Sequence, residues 1–245
     1  MQAAAVADVR PLLDQALSEA QMEATEAQRD ALAQHLSLVI ERNRTVNLTR
    51  ITSVGEAVFL HVVDSLLLQG ACDAAPSGVL LDIGTGAGYP GIPLAVMTGR
   101  KGLLVDSVGK KVGAVRDFVR ALGLERRVEA QAIRVEELAR QRRGQFAVVT
   151  ARAVAQTNVL VEYAAPLLCP RGHLVVAKAR PTDEELACGD RAAKVCGLKR
   201  VSRETFELPR GLGRREVLTY ERVGNPSIRL PRNVGMAQHH PLGVE

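Results

Sequence analysis

The 245 residues are 47% hydrophobic and 24% charged, a globular composition long enough to bury a core without disulfide staples. Aromatic residues make up only 3%, with no Trp, which leaves few stacking platforms for a single-strand binder. Lysine and arginine exceed the acids by 32 − 27 = 5, an excess that permits a polyanionic partner.

Leu12, Leu13 and Leu17 repeat at helical spacing, and Ala31, Leu32, Leu36, Leu38, Val39 and Ile40 continue the pattern. Thr25 precedes the second run with Gln28 three residues on, a capping pair. Residues 43–53 form a polar loop of turn and cap formers, and a third helix is expected from about Val54 to Gln69. The start, Met1 to Ala5, has no basic run before an apolar one, so no secretory signal is expected. No window approaches the roughly 18 apolar residues of a membrane span.

At Val79 the texture changes. Val79-Leu80-Leu81-Asp82-Ile83 reads as a buried strand entering a glycine turn, Gly84-Thr85-Gly86-Ala87-Gly88. A helix from about Ile92 follows, with Pro90 and Pro93 near its first turn. Strands at 102–106, 128–132, 146–150 and 173–177 then alternate with helices at 110–122, 157–168 and 183–196. That alternation means a parallel sheet covered on both faces. The last two strands, 198–208 and 216–223, are separated by too short a gap for a crossover helix, so they pair antiparallel. A mostly parallel sheet closing with an antiparallel hairpin, behind an N-terminal helical extension, is the α/β Rossmann-like arrangement of class I S-adenosylmethionine-dependent methyltransferases. The expected division is 1–70 for the helical extension, 71–223 for the sheet domain and 224–245 for a basic tail.

The chemistry-bearing residues sit where an open α/β sheet binds ligands, beyond the carboxyl ends of its strands. Glycines at 84 and 86 let a ligand approach the backbone. Tyr89 stands where the dinucleotide fingerprint wants its third glycine, which favours a cofactor without a pyrophosphate. Asp106 ends the second strand, 20 residues past Gly86, where a carboxylate accepts from ribose hydroxyls. Val135-Glu136 follow the third strand, and Arg152 follows the fourth. No Asn/Asp-Pro-Pro-aromatic run stands after the fourth strand, and Cys169 reads as core rather than as a nucleophile. A ring nitrogen with a free lone pair needs neither device, only orientation. The four cysteines lack CxxC spacing and read as free thiols of a reducing cytosol, and the five histidines show no metal-ligand spacing.

Asn47-Leu48-Thr49, His61-Val62-Val63-Asp64-Ser65, Asp82 through Pro93, Leu104-Val105-Asp106-Ser107 with Lys110-Lys111, Arg134-Val135-Glu136-Glu137 and Thr150-Ala151-Arg152-Ala153 together resemble the bacterial 16S rRNA guanine-N7 methyltransferase family RsmG/GidB. The resemblance implies a cytoplasmic monomer, S-adenosylmethionine as methyl donor and a guanine in a small-subunit (16S) rRNA loop as acceptor. By motif it implies cofactor contacts at Gly84, Gly86, Tyr89, Asp106, Ser107, Val108, Val135, Glu136 and Arg152, with no residue acting as general acid or base. Arg44, Asn47, Arg50, Lys110 and Arg232 are the expected RNA contacts. Two other classes remain open. A nicotinamide-dependent oxidoreductase would require parallel closing strands, and a non-catalytic RNA-binding module would show RNA affinity without methyl transfer.

Overall fold

The computed structural model describes residues 6–152 and 155–244. Met1 to Ala5, with the secretory-signal reading, and Ala153, with its place in the run after the fourth strand, lie outside the described residues.

Two antiparallel-packed helices, α1 (Val6–Glu19) and α2 (Glu26–Arg42), open the chain. The expected capping pair is present: the Gln28 N–H donates to the Thr25 hydroxyl, and the Gln28 side chain accepts from the Thr25 N–H. Such a cap contributes about 1 kcal/mol. The segment expected as one helix is instead broken. It is α-helical over Val54–Ala57, forms a wider π-helical turn over Val58–Val63, and resumes over Asp64–Leu66 and Gln69–Asp73. The run Val54–Asp73 is also long and apolar enough, by length and composition, to cross a membrane, contrary to the sequence expectation. Here Val58, Phe59, Val62, Val63 and Leu66 are buried in the core with Leu13, Leu36 and Ile92.

Among the described residues the sheet has seven strands in the order β3-β2-β1-β4-β5-β7-β6. They are β1 (Val79–Ile83), β2 (Gly102–Asp106), β3 (Val128–Ala132), β4 (Phe146–Arg152), β5 (Leu168–Lys178), β6 (Leu198–Glu207) and β7 (Arg214–Arg222). β1 to β5 are parallel, and β7 enters antiparallel to both β5 and β6. The nicotinamide reading required parallel closing strands and loses its structural basis here. Helices α3 (Gly91–Thr98), α4 (Gly109–Ala121), α5 (Val135–Gln141), α6 (Thr157–Ala164) and α7 (Asp183–Cys196) cover the faces. β5 begins five residues earlier than its apolar run suggests, because a register shift opposite Phe146–Val148 loops out Cys169 to Gly172. Cys169 therefore lies in a strand and is half-buried, not in the core.

The tail is anchored by specific contacts. Leu230 and Ala237 are buried in the cluster that holds Leu138 and Ala139 of α5, and burial of the Leu230 side chain contributes about 2 kcal/mol. Arg232 pairs with Glu162 of α6, whose side chain is only 4% exposed. Asn158 donates to the Leu242 carbonyl, and Arg191 to that of Gly243. These contacts hold the tail against the face formed by α5, α6 and α7.

Candidate functional site

The strand order reverses between β1 and β4, and the crevice at such a switch point is where this architecture binds ligands. A cleft of about 1090 Å³ opens there, lined by the glycine turn, the 47–51 loop, His61 of the π-turn, Asp64 just after it, Lys111, Arg152, Lys178 and Arg215.

The glycine turn is shaped by positive φ at Gly84 (68°), Gly86 (58°) and Gly88 (92°), angles that side chains other than glycine adopt only under strain. The three glycines serve different ends. A Cβ on Gly88 would lie 2.7 Å from Ile92, whereas one on Gly86 would meet only the Gly84 carbonyl, at 3.9 Å. The space before Gly86 is thus a cradle that a side chain would fill and a ligand could occupy. Asp106 sets the turn's position: its Oδ2 accepts from the Gly86 N–H at 3.1 Å and its Oδ1 from the Val108 N–H at 2.9 Å. Both oxygens retain a lone pair for a further donor. Ser107 and Val108 are exposed beside it, Val108 to 44%. An exposed valine next to a carboxylate offers an apolar wall beside a hydroxyl acceptor, a pairing that suits a nucleoside.

Behind the turn Asp82 is fully buried, and burial pushes its carboxyl up to about 6 against the hydroxyl and N–H donors that surround it. Those donors include the Thr150 hydroxyl at 3.0 Å and the Gly91 N–H at 3.0 Å. A Cβ on Gly91 would lie 2.2 Å from Leu104, so helix α3 can approach β1 and β2 only through glycine. Tyr89 is sandwiched between two imidazoles, with ring centroids 4.5 Å from His35 and 4.8 Å from His61. His35 Nε2 lies 3.0 Å from the Ala87 carbonyl, which fixes the proton on that nitrogen. Burial pulls the His35 pKa down to about 4 and that of His61 to about 3, the latter aided by the Arg152 charge. Both rings are therefore neutral near pH 7. The Tyr89 hydroxyl is buried with no partner among the described residues.

Arg152 closes the floor of the cleft. Its Nη1 donates to the Leu60 carbonyl and to Asp64, both at 2.8 Å, while Nε and Nη2 have no acceptor among the described residues. The other carboxylate oxygen of Asp64 accepts from Arg215 Nε at 2.7 Å. Lys178, further along, pairs with Glu185 at 2.7 Å.

The structure therefore brings Gly84, Gly86, Tyr89 and Arg152 to the cleft, with Asp106 holding the turn from behind. Val135 and Glu136 begin α5, and both are buried. One oxygen of the Glu136 carboxylate accepts from the Gly235 N–H of the tail at 2.9 Å. Of the expected RNA contacts, Asn47 and Arg50 are exposed and line the cleft, and Arg44 and Lys110 are exposed but do not line it. Arg232 is turned away onto Glu162 and the His240 carbonyl. Sequence reasoning missed Asp64 and Lys178 as cleft residues, and it counted Arg215 only as the end of a basic run, Lys199–Arg215, expected to meet RNA phosphates. Asp64 stood inside a quoted motif, but no spacing rule connects residues 64, 152 and 215.

A family model described as rRNA small subunit methyltransferase G, GidB, matches residues 28–215. A Ribosomal RNA small subunit methyltransferase G from Streptococcus equi subsp. zooepidemicus is 35% identical over 232 residues, covering 93% of this chain and 97% of that one. One from Carboxydothermus hydrogenoformans is 37% identical over 208 residues, covering 84% and 88%. Among solved structures, an O-methyltransferase from Bacillus cereus in complex with SAH superimposes with a TM-score of 0.55 at 18% identity, covering 85% of this chain and 96% of that one. The [4+2]-cyclase SpnF gives a TM-score of 0.55 at 15% identity, with 83% and 97% covered. These two likenesses speak for the fold alone, which hosts more than one chemistry.

Proposed function

The chain belongs to the GidB family of rRNA small subunit methyltransferases, and from that membership we propose that it methylates N7 of a guanine in 16S rRNA, using S-adenosylmethionine. The observation that carries the cofactor assignment is the open cradle at Gly86, which lines the cleft and whose N–H is held by the Asp106 carboxylate.

S-adenosylmethionine, when bound, supplies an electrophilic methyl group on a sulfonium. Gly84 and Gly86 would let the cofactor approach the backbone closely, and Asp106, with Ser107 and Val108 beside it, would accept from its ribose hydroxyls. Val135 and Glu136, at the start of α5, would hold its base. Arg152, with Nε and Nη2 unpartnered among the described residues, offers a fork to the cofactor carboxylate. Tyr89 forms the apolar wall beside it.

Guanine N7 carries a lone pair and no proton, so no residue need act as general base. The chain's work is to orient, to exclude water and to hold charge. Asn47, Arg50 and Lys111 at the cleft, with the exposed Arg44 and Lys110 outside it, contact the RNA backbone, and the target base is taken out of its stack to reach the cleft. The protein acts as a cytoplasmic monomer on naked rRNA or on the small subunit.

The test is direct. Unmodified small-subunit RNA is incubated with the protein and methyl-labelled S-adenosylmethionine, digested to nucleosides and separated. Label in 7-methylguanosine is the expected result. Label in another nucleoside would refute the N7 assignment, and RNA binding without label would revive the non-catalytic module.

A further inference from the structure

The cleft floor holds a charge arrangement that cofactor binding alone does not explain. Asp64 is 7% exposed, and it bridges two arginines that are each 15% exposed: Arg152 at 2.8 Å and Arg215 at 2.7 Å. Two guanidinium groups against one carboxylate leave one positive charge in excess. Asp82, whose carboxylate also attracts Arg152, lies behind the glycine turn and is already engaged by Thr150 and Gly91. His61 is held neutral by burial, and Lys178 is matched by Glu185.

The two arginines occupy different places along the sheet. Arg152 ends β4, next to β1 and the glycine turn, whereas Arg215 is the second residue of β7, on the far side of β5. Two strand spacings separate their backbones, roughly 10 Å. Arg215 thus lies on the side of the cleft away from the cofactor loop, where the acceptor base must enter. Its Nε is fixed by Asp64 and its Nη1 by the Arg214 carbonyl at 3.0 Å. Nη2 has no acceptor among the described residues, although the residue lines the cleft.

We propose that Arg215 is a specificity-determining residue, donating from Nη2 to O6 of the target guanine, and that Asp64 is the positioning residue that aims it. This rests on the guanine-N7 reading above. Arginine commonly reads guanine through O6 and N7 together. Here N7 must be left free for the incoming methyl, so only O6 remains for the guanidinium. Adenine presents an amino donor at that place on its edge, which an arginine donor repels. Asp64 has a second effect. Methyl transfer forms the N7–carbon bond, breaks the sulfur–carbon bond and moves the positive charge from sulfur to the purine ring. A carboxylate between the two arginines offsets the repulsion that the new purinium would otherwise meet.

The test compares two analogues at the target position of small-subunit rRNA, once that position is mapped by its 7-methylguanosine. Inosine keeps O6 and N7 but lacks the 2-amino group, and 2-aminopurine keeps N7 but lacks O6. The ratio of kcat/KM on inosine to that on 2-aminopurine is measured for the natural protein and for Arg215→Ala, Arg215→Lys and Asp64→Asn. The expected ratio falls about tenfold or more in Arg215→Ala, the effect of losing one hydrogen bond from a charged group, and recovers in part with Arg215→Lys. Asp64→Asn should lower the same ratio, while Arg215→Ala keeps its affinity for S-adenosylhomocysteine within about twofold. Because each ratio is internal to one variant, a smaller folded fraction cancels. An unchanged ratio in Arg215→Ala overturns the proposal. If the natural protein forms no 7-methylguanosine at all, the underlying function falls and the proposal with it.

Discussion

Replacing Asp106 by Asn tests whether that carboxylate serves the cofactor. It now accepts from the Gly86 and Val108 N–H groups, at 3.1 and 2.9 Å, one on each oxygen. Asparagine keeps one acceptor oxygen and puts an amino group in place of the other, so one backbone N–H must face a donor. Leaving a polar group unpaired at a partly buried site costs about 1–3 kcal/mol. The same swap removes half of the acceptor set that the ribose would use. Since about 1.4 kcal/mol is tenfold, the affinity for S-adenosylhomocysteine should fall by about 5- to 150-fold. Titration calorimetry reads this directly, and a thermal melt on the same sample separates loss of binding from loss of fold. Turnover at saturating cofactor should fall far less than affinity. Unchanged affinity with unchanged melting would reduce Asp106 to a strand-end cap. Unchanged affinity with turnover abolished would place the carboxylate on the reacting atoms, and the reasoning would be wrong.

Gly86→Val puts a branched side chain at φ 58° into the open cradle; binding of S-adenosylhomocysteine should disappear in calorimetry while circular dichroism still reports a folded chain. Arg232→Ala leaves Glu162 buried without its partner, a loss of about 3–5 kcal/mol that a denaturant titration would read, and Glu162→Gln in the same background should restore part of it. His35 has its folded pKa lowered to about 4, so between pH 6.5 and 4 the unfolded chain binds the proton and the folded one does not. Stability should fall as pH drops through that window, and a His35→Gln variant should show a shallower acid limb in melting temperature against pH. Asp82, raised to about 6, acts with the opposite sign: the proton it holds when folded adds stability that is full below about 3.8 and is lost as pH rises through about 6. RNA affinity, carried by phosphate contacts at Arg50 and Lys110, should drop steeply with salt in filter binding, and Arg50→Ala should reduce the slope.

The sheet was legible in the sequence because its strands are short apolar runs punctuated by glycine, and because a seven-residue gap after Leu208 cannot hold a crossover. The antiparallel close between β6 and β7 follows from that gap alone. The glycine turn and Asp106 were legible too, since chain spacing and strand ends fix them. The π-turn at Val58–Val63 was not, because its apolar residues satisfy a helical pattern as well as a continuous α-helix would. Glu136 was read as a ligand group from its place after β3. One of its oxygens also accepts from the Gly235 N–H, 99 residues away, and no local pattern encodes such a partner. Arg232 was read as an RNA contact from its charge; burial of Glu162, which sets its geometry, is a property of tertiary packing.

The bridge through Asp64 also bears on the order in which the molecule is completed. Asp64 meets Arg152 across 88 residues and Arg215 across 151. As the chain is synthesised, the glycine turn, Asp106 and their strands are in hand long before β7 exists. Loop-closure entropy is paid before such distant contacts return anything, so the bridge costs more chain entropy to close than the glycine turn and Asp106 do. The turn is built from residues within about 25 positions of one another, whereas the floor of the cleft draws on residues spread over most of the chain.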